Sequence, residues 1–168
     1  LMAAFVALPL IMHNAGLVNE KHWVVYLVTM LIAFISVLPF IIYAEKKRKM
    51  KQVFLLCIFL LIIAQAIFMI SGTSLWLIIL GIQIFFIGFN IMEALLPSLI
   101  SKEAPAGYKG TAMGIYSTSQ FLGVALGGIL GGWLYQHYDA QAVFAGCLLI
   151  GLVWFAISLT LRQPPYVS

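Results

Sequence analysis

Charge is what this sequence has least of. Only 8% of its 168 residues are Asp, Glu, Lys or Arg, against about 25% in a soluble domain. With 64% hydrophobic residues and a mean hydropathy of +1.10, a water-soluble core could not hide the apolar surface. Lipid is therefore the solvent for most of the chain. Cysteine is scarce as well. Cys57 and Cys147 both lie inside apolar runs and read as small buried hydrophobes rather than a disulfide or a metal pair. Enzyme signatures are missing: there is no HExxH, GxSxG, P-loop or CxxC. Ser117 and Ser119 have no histidine within their helix, because the histidines sit at outer loops. Neither a membrane hydrolase nor P-loop ATP hydrolysis fits, so no enzymatic activity, cofactor or metal is expected. The net charge of +4 does not point to nucleic acid, since the basic residues sit in short loops between apolar spans. The chain opens Leu-Met-Ala-Ala-Phe, without the basic n-region and cleavage site of a signal peptide.

What is present is a series of apolar spans. The first, residues 1–15, ends at His13-Asn14-Ala15-Gly16. Fifteen helical residues reach about 22 Å, short of the roughly 30 Å hydrocarbon core. The expectation is a chain cut inside its first transmembrane helix, with His13 and Asn14 at the headgroups. The second span, 22–44, carries His22, Thr29, Ser36 and Tyr43 at intervals of seven, with Tyr26 near the same face. This polar stripe serves either interhelical hydrogen bonds or the wall of a wet cavity. Pro39 is expected to kink the helix near its end. The basic loop from Glu45 to Lys51 follows. The third span, 52–70, has Gln65 as its only strongly polar interior residue and is predicted to face lipid. The fourth, 75–99, puts Gln83, Asn90 and Glu93 on one side and Gly81 and Gly88 on the other. The fifth is 111–135. The sixth, 142–161, has no polar stripe and is also predicted to face lipid. The tail 162–168 reads as a proline-containing linker.

The fifth span contains Gly123-Val-Ala-Leu-Gly127-Gly128-Ile-Leu-Gly131-Gly132, five glycines in ten residues. Each costs roughly 1 kcal/mol in a helix relative to alanine. Among apolar flanks, the reason is close backbone approach of neighbouring helices in a bilayer. Tyr116 and Gln120 share the Gly123/Gly127 face. With Met113 they line a cavity for amphipathic molecules, or else pack as ordinary helix contacts. Glu93 is the charged residue well inside a span. A carboxylate there must be paired, wet or protonated. It is either a proton-coupling or gating group, or a structural carboxylate about two turns from the helix end, paired with a loop Lys or Arg. Thr29, Ser36, Gln83 and Asn90 complete the candidate cavity lining. The loops after the second and fourth spans, with the tail, hold eight Lys or Arg residues, and the opposite side holds only Lys21. By the positive-inside rule the basic loops and both chain ends are cytoplasmic.

The reading is thus an all-α membrane protein: a six-helix transmembrane bundle over 1–161 and a cytoplasmic tail over 162–168. Polar stripes on spans two, four and five, bland spans three and six, and a basic loop after span two resemble the C-terminal half of a major facilitator superfamily transporter. The glycine run resembles that family's antiporter motif GxxxGPxxGG, with Gly128 in place of proline. Glu45 and Lys49 match the acid and a base of its GxxxDxxGRR loop motif, while both glycines of that motif are missing. The run from Phe89 to Gly123 is very similar to bacterial inner-membrane members. The resemblance implies two inverted three-helix repeats, a separate N-terminal six-helix half, a bacterial inner-membrane location, and export of drugs or small amphipathic metabolites in exchange for protons. It also implies a small cytosolic domain after Ser168. A half-size transporter or channel working as a dimer, and a non-transporting scaffold or receptor, are the alternatives.

Overall fold

The computed structural model describes residues 2–14, 16, 19–47, 49–71 and 74–160. The expected tail 162–168 and Arg48 of the basic loop lie outside these residues. The described residues form six α-helices and no strand: α1 (Met2–Asn14), α2 (His22–Lys46), α3 (Met50–Ile70), α4 (Leu75–Glu103), α5 (Lys109–His137) and α6 (Ala140–Leu159). A short 3-10 turn, Asn19–Lys21, leads into α2. In hydrocarbon every backbone N–H and C=O needs an internal partner, and a helix supplies all of them locally. The helices α2 to α6 are long and apolar enough to cross a membrane. The 13 residues of α1 reach only about 20 Å.

The helix ends show how the chain turns. Asp139 caps α6, its Oδ1 accepting the Ala142 N–H at 3.0 Å. Between α4 and α5, Tyr108 N–H donates to the Pro105 carbonyl at 3.1 Å, and Gly107 adopts φ +90°. That positive φ at the third turn position is what a type II turn requires. Prolines sit inside α1 (Pro9), α2 (Pro39) and α4 (Pro97). Pro39 and Pro97 leave the carbonyls four residues back, Ile35 and Glu93, without their helical donors. Pro97 does not end its helix as the 75–99 span implies, because the next turn is held by its own bonds and by Ala104 N–H to the Ile100 carbonyl at 2.9 Å.

The bundle is built around the α3–α4 pair. Helix α3 packs most extensively on α4 and α6, while α4 also lies along α2, and α1 joins α5 and α6. Two apolar clusters form, one toward each end. The cluster near the basic loop joins Val37 and Ala44 to Val53, Phe54 and Cys57, and to Ile91, Met92 and Leu95. The other joins Leu8 and Met12 to Phe68, Ile78, Phe85 and Phe144. The Phe68 and Phe144 rings lie 5.0 Å apart between α3 and α6.

On one helix the structure corrects the expectation from sequence. Span three is predicted to face lipid, yet α3 buries Met50, Val53, Phe54, Cys57, Ile58, Ala64, Gln65 and Phe68. Lipid tails and protein interior are equally apolar, so a bland helix does not reveal which of them it meets. By contrast α6 buries only Val143, Phe144 and Ser158.

Glycine makes the α3–α4 contact possible. A Cβ on Gly81 would stand 2.6 Å from Phe68 Cε1, and one on Gly88 would stand 3.2 Å from the Cys57 carbonyl oxygen. The second neighbour is backbone and cannot rotate away. Gly88→Leu should therefore destabilise the protein by roughly 1–3 kcal/mol, read as a lowered unfolding midpoint in detergent. An unchanged midpoint would mean that the α3–α4 approach is not what holds this bundle.

Candidate functional site

Clamping α4 by its glycine side turns its polar side away from α3. The tight turn after Glu103 then folds α5 back antiparallel, so that residues equally far from the turn face one another. Glu93 and Gln120 are such a pair. The Gln120 Nε2 donates to Glu93 Oε1 at 2.9 Å. Helical spacing puts Asn90 beside Glu93, and Tyr116 beside Gln120, on the same α4–α5 seam. Asn90 Nδ2 and Tyr116 Oη are both shielded from solvent and have no hydrogen-bond partner among the described residues. Buried polar atoms in that condition cost about 1–3 kcal/mol each. They are groups ready to bond an incoming molecule or water.

Glu93 itself is exposed on the surface of this chain. With α4 continuing to Glu103, it stands ten residues from the helix end, or about 15 Å, further in than two turns. Its partner is a neutral amide rather than a loop lysine or arginine. A carboxylate at such depth faces protein or water, not lipid tails.

The α2 candidates behave differently. Thr29 is buried and its Oγ1 donates to its own helix, 2.6 Å from the Val25 carbonyl and 3.1 Å from that of Tyr26. Ser36 Oγ donates to the Ile32 carbonyl at 2.8 Å. Such back-bonding occupies the hydroxyl proton. The structure does bring Gln83 to Thr29, but through the backbone: Gln83 Nε2 donates to the Thr29 carbonyl at 3.3 Å.

Among the α5 glycines, Gly131 is buried and Gly127 half-buried. A Cβ on Gly123, Gly128 or Gly132 would meet nothing within 4 Å among the described residues. At 100° per residue Gly128 and Gly132 share one side of α5 and Gly123 lies on the other, and all three positions are open toward the described residues. They are flanked by exposed Phe121, Leu122, Ile129 and Leu130.

At the basic end Glu45 pairs with Lys102 of α4, Nζ to Oε2 at 2.7 Å, and accepts Ser98 Oγ at 3.0 Å on its other oxygen. The Lys102 Nζ also lies 3.2 Å from Met50 Sδ. Lys49, matched with Glu45 in the loop motif, goes elsewhere: its Nζ stands 6.0 Å from the centre of the Tyr43 ring. Sequence reasoning misses Lys102 because it places that residue in a loop. The signal available is its spacing of four from Ser98 on a continued α4. No group of three or more His, Cys, Asp or Glu that could hold a metal ion occurs among the described residues.

The described residues thus hold five helices long and apolar enough to cross a membrane and a carboxylate well inside one of them, exposed on its polar face. The sequence profile of the Major Facilitator Superfamily matches residues 1–168. This chain belongs to that superfamily. It is 58% identical over 168 residues to the inner membrane transport protein YajR of Escherichia coli (strain K12), covering 100% of this chain and 37% of that protein. It is 36% identical over 137 residues to an uncharacterized transporter of Buchnera aphidicola subsp. Baizongia pistaciae, covering 81% of this chain and 35% of that one. An uncharacterized transporter of Buchnera aphidicola subsp. Acyrthosiphon pisum is 38% identical over 127 residues, with 76% of this chain and 33% of that one covered. The chain thus spans about a third of the length of these relatives.

The Glu45–Lys102 pair joins α2 to α4 at a partly exposed position, with side chains 43% and 28% exposed. Solvent screens such pairs to below about 1 kcal/mol, and the buried cluster of Val37, Ala44, Met92 and Leu95 carries the α2–α4 contact. Glu45→Gln should leave the unfolding midpoint of the full-length protein nearly unchanged. A large drop would show that the ion pair, not the apolar cluster, fastens α2.

Proposed function

We propose that this chain is the C-terminal half of a secondary transporter, built from two inverted three-helix repeats, that exports small amphipathic molecules in exchange for protons. An N-terminal six-helix half would close the cavity, and the two halves would rock about it in alternating access. The observation that carries this reading is Glu93. It lies deep in α4, exposed on the face that this half does not cover, with Gln120 at 2.9 Å. A carboxylate there can hold a proton on one side of the membrane and release it on the other, when rocking changes its access to water. The unpartnered Asn90 and Tyr116 supply polar contacts beside it, and the apolar lining of the seam suits drugs or metabolites of mixed character.

The basic loops suggest that both ends of this half are cytoplasmic, in a bacterial inner membrane as in the YajR relative. The coupling ion in this reading is the proton, with no other cofactor. The open glycines of α5 suggest a smooth contact for the other half, since glycine lets helix backbones approach closely.

Two measurements test the proposal on the full-length protein in proteoliposomes. Glu93→Gln should abolish transport driven by an imposed pH gradient while sparing exchange of substrate at equal concentrations. Undiminished proton-driven transport at normal expression would remove Glu93 from coupling. Gly123→Leu fills space that is open within this half, so helix content by circular dichroism should be retained while transport is lost. Normal transport in that variant would mean the glycine run is not a moving contact.

A further inference from the structure

Near the basic end, α2 and α3 part to leave a groove of about 550 Å³ lined by Pro39, Phe40, Tyr43, Gln52, Val53 and Leu56. That volume lies within the range of small-ligand sites, about 300–1,000 Å³. Gln52 is the only non-aromatic polar residue in this lining, and Val53 of the buried cluster forms part of the wall. The groove opens at the level where α2 ends and the lysine-rich loop begins.

The charges at that mouth are unbalanced. Glu45, the acid of the loop, is taken by Lys102. Lys51 is committed too, its Nζ donating to the Leu159 carbonyl at 3.1 Å and so closing the end of α6. Lys46, Lys47 and Lys49 have no carboxylate partner among the described residues, where Lys102–Glu45 is the only ion pair. Lys49 is tied to the groove directly, because its ammonium stands over the ring of Tyr43, a groove wall.

We propose that this groove is a binding site for an anionic phospholipid. One acyl chain lies between α2 and α3, and the phosphate sits among the ammonium groups of Lys46, Lys47 and Lys49. The chemistry selects this occupant. The lining belongs to two membrane-spanning helices, a depth that an acyl chain reaches and a soluble partner does not. The rim is cationic, so the headgroup must carry net negative charge. Tyr43 has the amphipathic ring that sits at the headgroup boundary. The site does not depend on the direction of transport or on Glu93.

The test uses the full-length protein, purified in detergent, stripped of lipid, and given phosphatidylglycerol and phosphatidylcholine of matched chains in equal amounts. Native mass spectrometry reads the adducts. Phosphatidylglycerol should be retained in preference to phosphatidylcholine. Replacing Lys46, Lys47 and Lys49 together by Gln should weaken its retention about tenfold or more and erase the preference. Leu56→Trp, which fills the exposed groove floor, should reduce retention of both lipids. Should either variant fold poorly, as judged by its unfolding midpoint, Lys49→Gln alone should still lower the preference. Equal retention of the two lipids by the unmodified protein would overturn the proposal, as would unchanged preference in the lysine variants. Binding of glycerophosphate as strong as that of the whole lipid would also overturn it, by showing an anion site without a chain groove.

Discussion

The close approach of α3 and α4 at Gly81 and Gly88 is the constraint from which the rest follows. Two glycines seven apart let α4 lie almost backbone to backbone on α3, where any Cβ would meet Phe68 or the Cys57 carbonyl. In lipid no hydrophobic force pushes helices together, so this van der Waals fit supplies the association. It also sets the rotation of α4. With its glycine side against α3, its opposite side must carry Gln83, Asn90 and Glu93 away from α3. The Pro105–Tyr108 turn then sets the register of α5, and Glu93 meets Gln120.

The fate of each polar group separates scaffold from site. Thr29, Ser36, Ser71 and Thr118 all return their hydroxyl protons to carbonyls of their own helices. Such groups cost little in a bilayer and offer little to a ligand. Asn90 and Tyr116 do neither: their atoms are shielded and unbonded. Gln65 shares that condition through its Oε1, but its helix turn is otherwise apolar. Among the described residues only the α4–α5 seam gathers such groups around a carboxylate. Pro97 adds one more, since it withholds the N–H that would otherwise bond the Glu93 carbonyl.

Periodicity in the sequence makes much of this legible. The six helices lie within a few residues of the apolar spans, and the two-sided character of α4 follows directly from the seven-residue spacing of its glycines and amides. Four things are not legible, each for a physical reason. Burial of α3 is hidden because a helix meeting lipid and a helix meeting apolar protein need the same residues. The continuation of α4 is hidden because Pro97 resembles a stop when tertiary packing is unknown. The Glu45–Lys102 pair depends on that continuation, so Lys49, nearer in sequence, looks like the better partner. The Glu93–Gln120 bond needs the turn between the helices, which glycine at position 107 makes tight.

The glycine run of α5 carries the synthesis one step further. Sequence alone says that something comes close to it, without saying what. Among the described residues a Cβ at Gly123, Gly128 or Gly132 would touch nothing, so three of the glycines gain no contact from them. At about 1 kcal/mol each, that leaves roughly 3 kcal/mol of helix propensity unrecovered by this half, and lipid tails would accept alanine or leucine equally well. The carboxylate of Glu93 stands in the same condition on the adjoining helix, exposed at a depth where lipid cannot solvate it. Two independent costs, one of backbone and one of charge, fall on neighbouring surfaces. A single protein neighbour against α5, enclosing water beside α4, would offset both, and this is the arrangement that the proposed second half would create.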